Sequence, residues 1–148
     1  MKKPLWIVVA NASLARCFER ASPVAPLVPL VSMEHPESRQ HARELEDDRP
    51  GRSQKDDAGG TSFTPRTESK EREREQFARQ VANFLEEGVE AHRCAGVVLF
   101  ASNPFLGELQ SHLGDGVRKQ LNATHALDLT ALPLGELEQR VKRALQPS

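Results

Sequence analysis

The sequence predicts an α/β protein built on a mixed five-stranded sheet, and three observations support that class. Two apolar runs, Leu5–Ala10 and Gly96–Ala101, carry no charged side chain, which is typical of strands buried on both faces of a sheet. Apolar residues at helical spacing flank the second run, and a long polar stretch lies between the two runs. Because 148 residues is the size of one domain, we expect a single domain over residues 1–148 with a flexible loop at about 34–67.

Three strands joined by short turns are predicted for the start of the chain. Asn11-Ala12-Ser13 has the composition of a turn, and residues 15–20 alternate in polarity as a half-exposed hairpin partner does. The third strand, Leu27–Met33, contains Pro29, whose missing N–H is tolerated on an edge strand. These features indicate an antiparallel meander with the third strand at the edge.

Helices and further strands are predicted for the second half. Apolar residues repeat at helical spacing after Glu68, which indicates a helix that Gly88 loosens or ends. Ser102-Asn103-Pro104 supplies a turn and an N-cap before a second helix over Phe105–Leu113.

The remaining elements complete the fold class. A short helical piece over Val117–Leu121, a last strand over Ala126–Leu129 and a final helix begun by Thr130 and Pro133 are expected. The order β-β-β-α-β-α-β-α predicts an RNase H-like α/β sheet with strand order 3-2-1-4-5 and flanking helices.

Composition excludes several classes of protein. A formal net charge of -1 gives no overall basic field of the kind that marks a dedicated DNA-binding protein. Cys17 and Cys94 lie in or beside apolar strands, as reduced core cysteines do. The apolar run at the N-terminus is shorter than the roughly 7–15 residues of a signal peptide, and no stretch approaches a transmembrane span. We therefore expect a cytoplasmic protein without a membrane partner.

Residues for metal-dependent hydrolysis do not cluster in the sequence. A nuclease of this fold needs several carboxylates at strand ends, but the first and fourth strands end in Asn11 and Ser102-Asn103, which leaves Asp128 alone. The histidines lack the spacing of zinc sites and are interpreted as scattered surface residues. We predict no catalytic residue, no metal and no cofactor, and these observations favour a binding protein over an enzyme.

The polar loop carries the candidates for binding. Arginines recur along it, and guanidinium groups make directed contacts with phosphates. Acidic residues are interleaved with them, so a solvated linker is the alternative interpretation. Ligands of parallel α/β layers usually bind at the carboxyl ends of strands, which adds polar residues from that region. The predicted binding residues are Arg39, Arg49, Arg52, Arg16, Asn11 and Asn103.

Several segments, in this order, resemble one known family: Trp6-Ile-Val-Val-Ala10, His35-Pro36-Glu37-Ser38-Arg39, Asp48-Arg49-Pro50-Gly51-Arg52 and Phe105-Leu106-Gly107. They resemble the bacterial host attachment proteins, described as required for attachment to host cells. That family is similar to the middle domain of archaeal and eukaryotic peptide release factors and to the ribosome-rescue factor Pelota. The resemblance implies an RNase H-like fold and a setting in translation. Gly59-Gly60-Thr61 stands where release factors carry Gly-Gly-Gln, so hydrolysis of peptidyl-tRNA by that motif is not expected.

Three functions follow from these observations. The first is a cytoplasmic RNA- or ribosome-associated binding protein that uses the arginines of the loop. The second is a host-cell attachment factor that acts at the cell surface or indirectly. The third is a hydrolase acting on RNA esters, which would depend on Asp128. The edge strand Leu27–Met33 also leaves open a homodimer formed by strand pairing.

Overall fold

A five-stranded sheet forms the centre of the protein, for which the computed structural model describes residues 3–35 and 65–146. The strands are β1 (Leu5–Ala10), β2 (Leu14–Arg20), β3 (Leu27–Glu34), β4 (Gly96–Ala101) and β5 (Leu121–His125). β1 pairs antiparallel with β2 and parallel with β4, β2 pairs antiparallel with β3, and β4 pairs parallel with β5. The strand order β3-β2-β1-β4-β5 confirms the RNase H-like sheet predicted from the sequence.

Helices cover both faces of this sheet. Those in the described residues are α1 (Pro65–Glu90), α2 (Phe105–His112), α3 (Asp115–Gln120) and α4 (Leu134–Leu145). The helices α1, α2 and α3 pack on one face, which we call the first face, and α4 packs on the other, the second face. None of the described helices is long and apolar enough to cross a membrane.

The first face carries the larger aromatic side chains of the core. Trp6 and Phe77 are fully buried there, and the Trp6 ring stacks on Phe84 with 5.2 Å between ring centroids. A Cβ atom at Gly88 would overlap the Trp6 ring, so only glycine lets α1 cross the tryptophan this closely. Of the two expected effects of Gly88, loosening the helix or ending it, the second is wrong, because α1 continues to Glu90.

Both cysteines lie in this first core, as predicted. Cys17 and Cys94 are free and buried. Burial raises the pKa of the Cys17 thiol to about 12 and also raises the pKa of Cys94. A thiol that stays protonated at neutral pH is a poor nucleophile, so neither cysteine is activated for chemistry.

The second face has a smaller core around α4. Val9 and Phe100 project from the two central strands and pack with Leu137 and Val141 of α4. Leu129 joins the same core from the 126–133 loop, which connects β5 to α4. A loop therefore completes part of this face.

The structure corrects two of the predicted elements. The last strand covers 121–125 rather than 126–129. An edge strand needs only alternate residues directed at the core, so its composition need not be apolar throughout. Leu129 lies outside the sheet and packs into the core of the second face. The turn before α2 provides no side-chain cap, and Pro104 itself occupies the cap position.

Two histidines depart from the predicted surface location. His35 is 4% exposed and lies edge-on to Phe77, with 5.6 Å between ring centroids. His125 is half-buried and stacks on Phe100 at 4.7 Å. The imidazole ring packs readily on an aromatic neighbour, so the prediction of a surface residue is wrong for His35.

Candidate functional site

The carboxyl end of the sheet, marked by Ala10 of β1 and Ala101 of β4, contains a topological switch point. These two residues are partners in the parallel β1–β4 pair, so Asn11 and Ser102-Asn103 leave the sheet from adjacent strands. From β1 the chain turns back into β2 on one side of this pair, whereas β5, the strand that follows β4, lies on the other side. Crevices at such points are the usual ligand sites of open α/β sheets.

The side-chain amide of Asn11 is used completely by internal hydrogen bonds. Its Oδ1 accepts from the backbone N–H groups of Ser13 and Leu14 at 2.8 and 2.9 Å, which closes the β1–β2 turn. Its Nδ2 donates to Asp128 Oδ2 and Thr130 Oγ1, both at 3.0 Å. Because an amide offers two acceptor sites and two donors, Asn11 joins the turn to the 126–133 loop and keeps no hydrogen bond for a ligand.

Asp128 anchors the same loop. Its Oδ1 accepts from the backbone N–H of Thr130 at 2.9 Å and from the Thr130 hydroxyl at 2.6 Å. Partial burial acts to raise the pKa of Asp128, but the hydrogen bonds from Thr130 and Asn11 outweigh it and hold the pKa below its usual value. The carboxylate is therefore ionised at neutral pH and acts as a hydrogen-bond acceptor for the loop.

Arg16 holds the loop from the neighbouring strand. Its Nη1 donates to the backbone oxygens of Thr130 and Leu132 at 3.0 and 2.9 Å. The guanidinium carbon lies 5.1 Å from the centre of the Phe18 ring, within range of a cation–π contact. Arg16 therefore satisfies two partly buried carbonyl groups and fixes the path of the loop over the second face.

Asn103 is exposed, whereas Asn11 and Arg16 are partly buried. It lies in the turn between β4 and α2, where the backbone oxygen of Ser102 accepts from the N–H of Leu106 at 2.9 Å. Of the three predicted binding residues within the described ranges, Asn103 is the one whose side chain faces solvent at the switch point. The other three, Arg39, Arg49 and Arg52, lie outside the described residues.

The described segments before and after the arginine-bearing interval 36–64 both contact this same end of the sheet. On one side, His35 donates its backbone N–H to the carbonyl oxygen of Ser13 at 3.0 Å. On the other side, α1 reaches the sheet at Phe77, whose ring lies 5.6 Å from the His35 ring and 5.7 Å from the Phe105 ring. The described chain therefore leaves β3 at His35, and α1 contacts the same end of the sheet at Phe77, twelve residues after its first residue, Pro65.

Metal chemistry has no obvious donor set in the described part of the chain. Residues 3–35 and 65–146 contain no group of three or more His, Cys, Asp or Glu side chains placed to hold an ion. The Asp128 carboxylate, which lies beside Asn11, is engaged with Asn11 and Thr130.

The sequence-based reasoning missed Thr130, which is 8% exposed and forms hydrogen bonds with Asn11, Arg16 and Asp128. Its spacing of two residues from Asp128 is the signal that could have found it. Asp side chains commonly accept from the backbone N–H two residues further on.

Comparison with known proteins identifies the family. No curated protein matches the sequence. Among solved structures, the chain is similar to Dom34 of S. cerevisiae, described as a translation termination-like factor involved in RNA quality control pathways and interacting with Hbs1, with 10% identity and a TM-score of 0.43. That match covers 97% of this chain and 37% of the Dom34 chain, so the chain spans little more than a third of that protein. The family model described as protein required for attachment to host cells matches residues 6–141, and the chain therefore belongs to the host attachment family.

Proposed function

We propose that this protein is a cytoplasmic RNA- or ribosome-associated binding protein whose binding surface is the carboxyl end of the sheet. The observation that carries the proposal is the contact between His35 and Phe77, which places the described segments before and after the 36–64 interval beside the same end of the sheet. The interval contributes Arg39, Arg49 and Arg52, which match the geometry of phosphate groups. The similarity of the host attachment family to release-factor domains supports the ribosome as the partner.

The described residues at this surface have two different roles. Asn11 and Arg16 fix the turn and the loop, so their part in binding is to hold the surface in place. Asn103 is exposed and offers its amide NH2 group as donor and its amide oxygen as acceptor to a base or a sugar. This arrangement favours recognition over hydrolysis, since Asp128 already accepts hydrogen bonds from its neighbours.

Co-sedimentation of the full chain with ribosomes across a salt series tests the proposal. A variant with Arg39→Ala, Arg49→Ala and Arg52→Ala should bind more weakly. The slope of log affinity against log salt should fall by about two, because each phosphate contact with single-stranded RNA contributes about 0.7.

The matched control carries Lys119→Ala, Arg140→Ala and Arg143→Ala. These substitutions remove the same charge from exposed positions of α3 and α4, outside the carboxyl end of the sheet. Retained binding in the control, with binding lost in the loop variant, supports the proposed surface. Equal loss in both variants would indicate general charge attraction, and no binding at low salt would contradict the function itself.

The family description favours a second candidate, a protein needed for attachment to host cells at the cell surface or indirectly. Protease treatment of intact cells separates it from the first. Digestion of the protein under conditions that spare a cytoplasmic marker would support surface exposure. Protection from the protease, together with ribosome binding, would leave the attachment phenotype as an indirect effect.

A further inference from the structure

A groove lies at the amino end of the sheet, remote from the surface proposed above. One wall is the β2–β3 turn, which starts after Arg20. Arg20 pairs with Leu5 at the beginning of β1, so this turn lies at the amino end of the sheet. The facing wall is one side of α4, from Gly135 to Lys142. Its volume of about 440 Å³ falls within the range of roughly 300–1,000 Å³ that is usual for ligand pockets.

Hydrogen bonds hold both walls of the groove in place. The Arg20 Nη2 donates to the carbonyl oxygen of Pro23 at 3.1 Å, across the turn. The backbone N–H of Leu27 donates to Glu138 Oε2 at 2.7 Å, which ties the turn to α4. Pro23 and Pro26 further restrict the backbone of the turn. A groove that is already formed costs little ordering free energy when it binds a partner.

The lining of the groove favours an aliphatic group. Val24 is 89% exposed at the tip of the turn, and Val28, just beyond the groove, is 53% exposed. Pro26 and Ala25 extend the same apolar surface. The described lining contains no aromatic ring on which a nucleobase could stack, so a peptide side chain suits it better than a nucleic acid does.

The charges of the groove favour an acidic partner. Arg20 and Lys142 line it, and Lys142 is exposed. The carboxylate in the described lining, Glu138, already accepts a hydrogen bond from Leu27. Two cations and one carboxylate give the described lining a net charge of +1, which favours added negative charge.

We propose that this groove docks an extended segment of another protein in which acidic side chains flank an aliphatic one. The aliphatic side chain packs on Val24 and Pro26, and the carboxylates pair with Arg20 and Lys142. Because the groove and the switch point lie at opposite ends of the sheet, this docking does not depend on RNA or ribosome binding.

The test selects peptides from a random display library against the full chain and measures the selected peptides by fluorescence anisotropy. We expect enrichment of Asp or Glu beside Leu, Ile, Val or Met. Lys142→Glu should weaken their binding by about fivefold or more, since it replaces an attraction by a repulsion. The matched control, Arg140→Glu, makes the same charge change at an exposed position of α4 outside the groove and should leave binding unchanged.

Val24→Asp is the second variant, and its high exposure makes unfolding an improbable cause of any loss. It should also abolish binding of the selected peptides. Failure to select acidic-aliphatic peptides, or equal weakening by both charge reversals, overturns the proposal. Binding of a labelled polyuridine oligonucleotide that Lys142→Glu alone removes would assign the groove to nucleic acid. A dimer that Val24→Asp dissociates would assign it to a second copy of the chain.

Discussion

The two faces of the sheet are closed by different means. On the first face, three helices bury large apolar side chains, among them Trp6, Phe77 and Phe105. On the second face, α4 supplies few buried residues, and the 126–133 loop covers the carboxyl end with the help of Asn11 and Arg16. Packing dominates the first face, and hydrogen bonds complete the second.

This difference teaches how polar residues at strand ends should be interpreted. A loop laid over a sheet brings backbone carbonyl groups into a partly buried setting, where each needs a donor. Arg16 supplies two of those donors from a neighbouring strand, and Asn11 ties the loop to the β1–β2 turn. Polar side chains at the carboxyl end of a sheet can thus serve the fold before they serve a ligand.

The largest expected effect breaks the first face. Phe77→Ala should lower the free energy of unfolding by about 3–5 kcal/mol, because it removes a fully buried ring from among His35, Phe105 and the sheet. Urea unfolding followed by the fluorescence of the buried Trp6 measures the loss. Val24→Ala, at an exposed site, is the control and should change stability by less than about 0.5 kcal/mol. A loss below about 1 kcal/mol in Phe77→Ala would contradict the packing account.

A smaller effect is expected from the second face. Asn11→Ala removes four hydrogen bonds and should cost about 2 kcal/mol, part of which comes from the partly buried groups of Leu14 and Thr130 that lose Asn11 as a partner. Asn103→Ala is the matched control, since it deletes the same amide from an exposed turn and should stay within about 0.5 kcal/mol. Equal stabilities of the two variants would show that the Asn11 network does not hold the loop.

The smallest effect concerns pH. The folded-state pKa of Asp128 lies below its unfolded value, so its contribution to stability is present above about pH 4 and is lost as the pH falls through the folded pKa. Asp128→Asn should therefore flatten the acid side of the plot of unfolding free energy against pH. Urea midpoints taken across the acid range for both proteins check this, and parallel curves would contradict it.

The sheet could be predicted from the sequence because the two central strands are recognisable by their apolar composition. Leu5–Ala10 and Gly96–Ala101 are buried on both faces, so every position is apolar and only a central location suits them. β5 was misplaced because it is half-exposed and polar at alternate positions, whereas the apolar residues that follow it belong to a loop. Apolar content alone does not distinguish an edge strand from a loop that packs inward.

The candidate site was less accessible to sequence reasoning. Arg16 and Asn11 lie near the carboxyl end of the sheet, but a sequence does not tell a donor used internally from one left for a ligand. The partners of Arg16 are carbonyl groups more than one hundred residues away, as its contacts with Thr130 and Leu132 show. Such pairing emerges only once the loop is placed in space.

The position of β1 has a consequence for the order in which the chain is assembled. β1 is synthesised before its parallel partner β4, which follows only at Gly96–Ala101. Closing so long a stretch of chain costs entropy, whereas the β1-β2-β3 meander needs only short turns. During synthesis the meander can form first, and one apolar flank of β1 then stays open until β4 arrives. β1 is thus the central strand of the finished sheet and, until β4 pairs with it, a strand whose open edge is exposed to wrong pairing in the nascent chain.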